Sequence, residues 1–547
     1  MHRFFKTALV VAGIAWGLNG TAQPSLSPEQ WQEDLDFLQR TVHKEYPFLF
    51  KKTTAEAFDN QVIGLRDSIP LWEPHQVLAG FHRLISSFEY GHTSMGGWEE
   101  VVPRHRLPIV LYDFADGVYI QGVHRDYAEW AGARLLAIEG VPVEAALERI
   151  RPLVPAENDM FMKAYGTNYL AVPEFLHAQG ITPELKTEIS LLLERDGEQF
   201  EVQIQAVEGL DIPRQYGMVV PGEDWVDARE SKESPLYLKH LDSIYYYEYL
   251  PEQKTVYVRQ SQIQDQQGNP IPEFYQEVFD FIDTHEVERL ILDVRLNGGG
   301  NNYKNKPIVT GVIRTEKINQ VGKFFVILGR RTFSACQNLV NELHTYTNAV
   351  FVGEPTAENI NFYGDNQPVT LPNSGLTAYL SFAWWQDKPQ WENDQWLAPQ
   401  ISAAPTFEQY RSGEDPALEA ALAFSNTDYV LNPMDHLTRL FEQGDPAAVQ
   451  SEAARMIADP DYRYFDFEER FDEAANNLLN ANRLEEAYFV AEMNLGFFPE
   501  SAGTWLRKGE VLAQMGQEEE ARTCLAKAVE LDPESQAGKR AAGLLKL

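Results

Sequence analysis

Two stretches of this chain, LDVRLNGGGN (residues 292–301) and FFVILGRRTFSACQN (residues 324–338), determine its fold. The first stretch continues an apolar run that starts at residue 290, and the second begins with the apolar run FFVIL; each then changes to small or polar residues. Three consecutive glycines in the first stretch leave backbone N–H groups accessible, as an oxyanion or phosphate site requires. The second stretch leads to Ser334, at the start of a segment with a helical apolar face. Together they predict buried strands of an α/β layer.

The pattern of alternating strands and helices extends around these two stretches. Strand-like and helix-like segments follow one another at 255–259, 272–285, 289–294, 324–328, 335–346 and 349–353. Such alternation is typical of a sheet with helices packed on its faces. We therefore predict an α/β core over residues 211–430. A nucleotide site is disfavoured, because the glycines match neither GxGxxG nor GxxxxGK[ST].

The sequence before this core predicts two further units. Apolar residues recur at helical spacing between residues 27 and 87, and the last helix ends in YGHTS (residues 90–94), so residues 23–104 form a predicted helical domain. Residues 105–210 are rich in short strand patterns. Within them WAGARLLAIEG (residues 130–140) and the helix that follows resemble a PDZ domain, a fold that binds extended peptides by β-augmentation.

The C-terminal part, residues 431–547, is helical and repetitive. Ala487 and Ala521 are 34 residues apart, as are Pro499 and Pro533. This period and these small residues are typical of tetratricopeptide repeats. A short array buries little surface by itself, so we expect it to dock on the body of the protein or on a partner protein.

The N-terminus resembles a secretory signal. Residues 1–22 contain basic residues, an apolar run too short to span a bilayer, and a small-residue ending, although an uncleaved anchor is the alternative. No other segment has 18 consecutive apolar residues, which predicts an exported mature chain that does not insert into a membrane. The net charge of −35 disfavours nucleic acid. The only two cysteines, Cys336 and Cys524, form no CxxC motif, so a disulfide framework and a cysteine-ligated zinc site are not expected.

The sequence resembles the catalytic core of the S41 serine peptidases in three segments that occur in this order: the glycine turn, the Ser334 segment and VGEPT (residues 352–356). The resemblance covers residues 82–422 and implies a ClpP/crotonase-like α/β core within a multidomain α+β protein. Tail-specific members pair the serine with a lysine about two dozen residues later, but residues 355–361 contain no lysine. Tricorn-like members use a histidine in a turn before the PDZ insert, and YGHTS matches that turn.

The resemblance implies the site residues. Ser334 is the expected nucleophile and His92 the expected general base, since an imidazole of ordinary pKa, about 6.5, accepts a proton near neutral pH. A plain helix-capping serine is the alternative interpretation of Ser334. The remaining candidates are backbone donors for the oxyanion and acids that orient the histidine: Gly298, Gly299 and Ala335 as donors, Glu392 and Asp394 as acids.

The sequence as a whole therefore predicts an exported serine endopeptidase, or a tail-specific-like peptidase, that acts on extended or unfolded protein chains. No cofactor is expected, and no metal, since the histidines form no HExxH motif. The alternative from another class is a catalytically inactive protein on the same scaffold that binds a peptide or an apolar ligand. The missing lysine and the undefined acid keep this alternative open.

Overall fold

The computed structural model describes residues 26–231, 233–392, 394–425 and 429–546. The predicted signal sequence, residues 1–22, lies outside the described residues. Within them, no helix is both long enough and apolar enough to cross a membrane.

Three helices form the N-terminal unit, as their apolar spacing predicts. They are α1 (Pro28–Glu45), α2 (Ala55–Ser68) and α3 (Pro74–Ser86). Ser27 caps α1 in a capping box with Gln30, and a proline occupies the first turn of the helix. Helix α3 is buried on nearly all sides, and the turn that contains His92 follows it directly.

A short strand and then an antiparallel sheet follow. The elements are β1 (Ser94–Gly96), β2 (His105–Arg106), β3 (Ile109–Phe114), β4 (Gly117–His124), β5 (Arg134–Ile138), β6 (Val141–Pro142), α4 (Val143–Ile150), α5 (Asp159–Tyr165), α6 (Pro173–Ala178), β7 (Glu188–Arg195), β8 (Glu198–Gln205), β9 (Val207–Glu208), β10 (Arg214–Gln215), β11 (Met218–Val219) and β12 (Trp225–Asp227). The sheet has the order β12-β4-β5-β7-β8, with β3 on β4 and β6 on β5. Alternate residues of β7 are buried, as expected when one face of a sheet covers a core.

The α/β core comes next in the chain. Its elements are β13 (Tyr245–Leu250), β14 (Thr255–Gln260), α7 (Ile271–Thr284), β15 (Arg289–Asp293), α8 (Lys306–Arg314), β16 (Phe324–Leu328), α9 (Ala335–Tyr346), β17 (Val350–Gly353), β18 (Phe362–Thr370), β19 (Thr377–Trp385), β20 (Ile401–Ser402), α10 (Phe407–Ser412) and α11 (Pro416–Ala423). The main sheet has the order β13-β14-β15-β16-β17-β20, and its strands from β14 onward are parallel.

Both faces of this sheet are covered, which explains its continuous apolar strands. Leu292 and Val326 belong to one buried cluster with residues of α7, α8 and α9. Ile291 and Ile327 point to the other face and pack in a cluster with α11. Because β15 and β16 are parallel neighbours, the glycine turn and Ser334 follow adjacent strand ends at one edge of the sheet. Parallel α/β sheets place their ligand sites at this edge.

The C-terminal tail consists of helical hairpins: α12 (Pro433–Glu442), α13 (Pro446–Ala458), α14 (Phe467–Asn480), α15 (Leu484–Phe497), α16 (Ala502–Gln514), α17 (Glu518–Leu531) and α18 (Gln536–Leu544). A Cβ at Gly509 would lie 2.9 Å from Leu525, so the small residue allows α16 and α17 to approach closely. The Tyr429 hydroxyl donates to the Gln400 carbonyl, and its ring stacks on Tyr462 at 4.8 Å. The tail therefore docks on the body of the protein beside β20.

Candidate active site

Ser334 lies in the sharp turn between β16 and α9. Its backbone has φ 58° and ψ −129°, a conformation that is costly for a residue with a side chain and that is concentrated at functional sites. Its hydroxyl makes no capping bond to α9. Instead, Oγ lies 2.9 Å from Nε2 of His92. The interpretation of Ser334 as a plain capping residue is therefore excluded.

His92 comes from a part of the chain 242 residues before Ser334, and strand pairing brings it to the site. Strand β1, which follows the histidine turn, pairs with β19, and β19 pairs with β18. Next to the histidine, the Thr93 hydroxyl donates to Oγ of Ser381 over 2.8 Å. Nδ2 of Asn366 donates to the His92 carbonyl over 2.9 Å. The hairpin of β18 and β19 thus holds the turn from both sides.

Aromatic rings enclose the imidazole of His92. Phe333 stacks on it with ring centroids 4.5 Å apart, and Phe362 lies nearly parallel at 6.0 Å. Burial lowers the pKa of His92, while the charges of Glu157 and Asp365 oppose the shift. A histidine with a lowered pKa is neutral at neutral pH, which is the form that can accept the proton of Ser334.

Glu358 completes the arrangement. Its side chain is fully buried, and Oε1 lies 3.0 Å from Nδ1 of His92, although the ring N–H is not well aligned with it. The other carboxylate oxygen accepts the backbone N–H of Ser334. Burial raises the pKa of Glu358 well above its usual range, and the bond from Ser334 opposes that shift. One carboxylate therefore contacts both the imidazole of His92 and the backbone of Ser334.

The two acids expected from the sequence lie elsewhere, and Glu358 is the acid that lies beside His92. Glu392 is exposed, and Oε1 lies 3.2 Å from Nζ of Lys51 on the N-terminal unit. The carboxyl group of Asp394 interacts electrostatically with Arg470 of the tail, and burial raises its pKa. The segment after β19 packs between the N-terminal unit and the tail, which directs both side chains away from His92.

The glycine turn lies against the start of α9. A Cβ at Gly299, where φ is 98°, would lie 2.5 Å from Cβ of Ser334, so only glycine fits. The N–H of Gly299 donates to Oδ1 of Asn297 over 2.9 Å and is not free for an oxyanion. Among the described residues, the N–H groups of Gly298 and Ala335 have no acceptor. Two of the three expected donors thus remain free, and the role of Gly299 is close packing.

The site contains a second buried acid, Glu157, which the sequence did not single out. Single ligand atoms of His92, Glu157 and Glu358 lie within 4.8 Å of one another, close enough to hold a metal ion. Both carboxylate oxygens of Glu157 and one of Glu358 already accept backbone N–H groups. Hydrogen bonding within the chain therefore accounts for most of these oxygens. The arrangement of hydroxyl, imidazole, carboxylate and free N–H groups can perform acyl transfer.

Comparisons with known proteins support the fold. Residues 502–535 match the tetratricopeptide repeat family, whereas no curated protein matches the sequence. A crystal structure of a serine-to-alanine mutant of CPAF is 12% identical with a TM-score of 0.50, and the match covers 74% of this chain and 99% of that one. The structure of CPAF complexed with lactacystin is 14% identical with a TM-score of 0.49, and the match covers 70% of this chain and 95% of that one. The crystal structure of a putative peptidase from Parabacteroides merdae is 15% identical with a TM-score of 0.37, and the match covers 74% of this chain and 100% of that one. The chain has the fold of an S41-type peptidase with a tetratricopeptide tail.

Proposed function

We propose that this chain is a serine peptidase that hydrolyses peptide bonds in extended or unfolded protein chains. The observation that carries the proposal is the continuous contact from Ser334 through His92 to Glu358. The strained backbone of Ser334 and the free N–H groups beside it support the same conclusion. Similar arrangements on unrelated folds are recognised by geometry and roles rather than by residue order.

In the first half of the proposed reaction, Oγ of Ser334 attacks the carbonyl carbon of the scissile bond and Nε2 of His92 takes the hydroxyl proton. The carbonyl oxygen becomes an oxyanion, which the N–H groups of Gly298 and Ala335 stabilise at the positive end of α9. Glu358 stabilises the imidazolium and holds the ring so that Nε2 faces the serine. His92 then gives the proton to the leaving amine, and an acyl-enzyme remains.

In the second half, water replaces the amine. Nε2 of His92 takes a proton from the water as its oxygen attacks the ester carbonyl, and the same N–H groups stabilise the second oxyanion. The proton returns to Oγ of Ser334 as the ester bond breaks. The released fragment carries a new carboxyl terminus, and the enzyme returns to its starting state.

The alternative function, a catalytically inactive binding protein, rests on the missing lysine and the undefined acid. Glu358 now occupies the position of an orienting acid, 24 residues after Ser334. A histidine base with an acid partner needs no lysine. The peptidase is therefore the function that the geometry favours.

The proposal extends to export and to partner binding. Residues 1–22 would direct the chain to the periplasm or the extracellular space, the PDZ-like unit would bind the extended substrate, and the tail would recruit a protein partner. Expression of the full chain followed by N-terminal sequencing of the exported form tests the first point. A mature chain that begins at or near Gln23 is expected, whereas retention of residues 1–22 in a cytoplasmic protein would contradict export.

The test of the activity compares the wild-type chain with Ser334→Ala on a fluorescently labelled unfolded protein, such as casein. The wild type should hydrolyse the substrate and react with a serine-directed fluorophosphonate at Ser334. The variant should do neither, with an unchanged melting temperature. Hydrolysis that persists in the variant would refute the assignment, and a wild type that binds casein without cleaving it would favour the binding protein.

A further inference from the structure

Glu157 lies beside the proposed catalytic residues without touching the reacting atoms. Its Oε1 accepts the N–H of Gly91 over 2.8 Å, and its Oε2 accepts the N–H of Asn359 over 3.2 Å. Gly91 directly precedes His92, and Asn359 directly follows Glu358. One buried carboxylate therefore connects the turn that carries the base to the turn that carries the acid.

We propose that Glu157 is a positioning residue that holds these two turns together, and that its charge sets the pH range over which the site is active. The inference rests on the proposed peptidase function and adds a residue that acts through His92 and Glu358. Its segment enters the site from the β-rich unit, so the bridge also ties that unit to the base and the acid.

The neighbouring residue, Asn158, has the structural role that could otherwise be ascribed to Glu157. Its side chain accepts the N–H of Phe161 and so caps α5. Its Nδ2 donates to the carbonyls of Thr356 and Gln395, which docks the segment on the core. Because Asn158 makes these contacts, replacement of Glu157 by glutamine is compatible with folding.

Lys52 supplies a positive charge to the two acids. Its side chain is exposed along part of its length, but Nζ lies against protein, donating to the Glu89 carbonyl over 2.8 Å and lying 4.9 Å from the centre of the Tyr90 ring. This burial lowers the pKa of Lys52, and the charges of Glu157 and Glu358 oppose the shift. The N-terminal helical unit thus contributes the counter-charge of the site.

The charges around Glu157 come from several elements, and their effects are separable. Burial and the charge of Glu358 raise the pKa of Glu157 to about 7, whereas Lys52, the N–H of Gly91 and His92 lower it. The remaining titratable groups around the cluster are Glu89 beside Lys52, Tyr90 beside Glu157, Asp365 facing His92 and Asp387 facing Glu358.

Two substitutions are expected to shift the acid limb of the activity profile in opposite directions. In Glu157→Gln, the ionisation of Glu157, whose pKa of about 7 lies above the lowered pKa of His92, no longer shapes the profile, so the acid limb follows His92 alone and moves to lower pH. In Lys52→Met, loss of the positive charge removes an interaction that lowers the pKa values of Glu157 and Glu358, so the limb moves to higher pH. A purely structural role for Glu157 would not produce this pair of shifts.

The experiment measures kcat/KM on labelled casein from about pH 5 to 9 for the wild type, Glu157→Gln, Lys52→Met and the control Glu184→Gln, which removes an exposed charge from the same unit. Glu157→Gln should lose about 10- to 100-fold at the optimum, because one of its two bridging bonds is lost and the turns shift. The control should follow the wild type.

Profiles of Glu157→Gln and Lys52→Met that superimpose on the wild-type profile would overturn the inference while leaving the peptidase function intact. A loss of activity in Glu157→Gln with an unchanged acid limb would also overturn it, because it would show a structural effect alone. A wild type that neither cleaves casein nor reacts with a fluorophosphonate would refute the proposed function itself. If circular dichroism shows that Glu157→Gln does not fold, the acid limb of Lys52→Met provides the test, and a limb at the wild-type pH would overturn the inference.

Discussion

Replacement of Glu358 by glutamine is expected to abolish most of the activity while the fold is kept. The carboxylate has two partners, Nδ1 of His92 at 3.0 Å and the backbone N–H of Ser334. A glutamine can accept a hydrogen bond from only one of them with its oxygen, and its NH₂ group must face the other donor. The change also removes the negative charge that would stabilise the imidazolium in the transition state.

The separation of the two groups gives the size of the effect. Opposite unit charges 3.0 Å apart attract by about 5 kcal/mol at an effective dielectric constant of about 20. Each ~1.36 kcal/mol corresponds to a factor of ten in rate, so the full loss would reduce kcat by about 10⁴. The dipole of the glutamine amide restores part of this stabilisation. We therefore expect kcat to fall by about 10³ to 10⁴ with little change in KM.

The assay is steady-state hydrolysis of labelled casein, with Glu392→Gln and Asp394→Asn as matched controls. Both controls remove a carboxylate that the sequence offered as the orienting acid, and both should keep kcat within about twofold, since neither side chain reaches His92. Retention of more than a tenth of the wild-type kcat in Glu358→Gln, with melting unchanged, would refute the assignment of the acid. A large loss in either control would refute it as well.

Three further predictions concern stability. Gly299→Ala should lose activity and, in urea titration, about 1–3 kcal/mol of folding free energy, because its Cβ would clash with Ser334 and its φ is positive. The control Gly298→Ala, whose Cβ has open space, should unfold like the wild type. The pKa of Glu157 is raised from 4.5 to about 7. The neutral carboxyl group therefore contributes fully to stability below about pH 4.5, and this contribution falls by about 3 kcal/mol by pH 8. Calorimetry should show a weaker decline of stability with rising pH for Glu157→Gln than for the wild type. Arg330→Met should cost about 3–5 kcal/mol in urea titration, since it leaves the buried carboxylate of Glu354 without its ion-pair partner, whereas an unchanged midpoint would contradict this expectation.

Signals that are local in sequence predicted the fold and half of the site. An apolar strand that ends in a glycine turn, and another that leads to Ser334, are each visible within fifteen residues, and parallel pairing then brings the two turns together. The acid escaped detection for a specific reason. Glu358 lies in residues 355–361, where the family resemblance implies a lysine and not an acid. Its distance of 24 residues from the serine is the signal that identifies it.

Contacts between distant segments could not be predicted in this way. Glu157 accepts bonds from residues 66 and 202 positions away, and nothing in its immediate sequence distinguishes it from the chain's other acids. The resemblance suggests Glu392 and Asp394 as acids, but the direction of their side chains depends on how the N-terminal unit and the tail pack around that segment. Packing of this kind becomes visible only in three dimensions.

The pairing of β1 with β19 affects when the site can form during synthesis. The turn that carries His92 is among the first parts of the chain to leave the ribosome, yet the strand that holds it ends at Trp385. After His92, nearly three hundred further residues, up to Trp385, must be translated before the strand that holds its turn is complete. If the chain is the proposed peptidase, translation order alone keeps the nascent polypeptide inactive until β19 has been made.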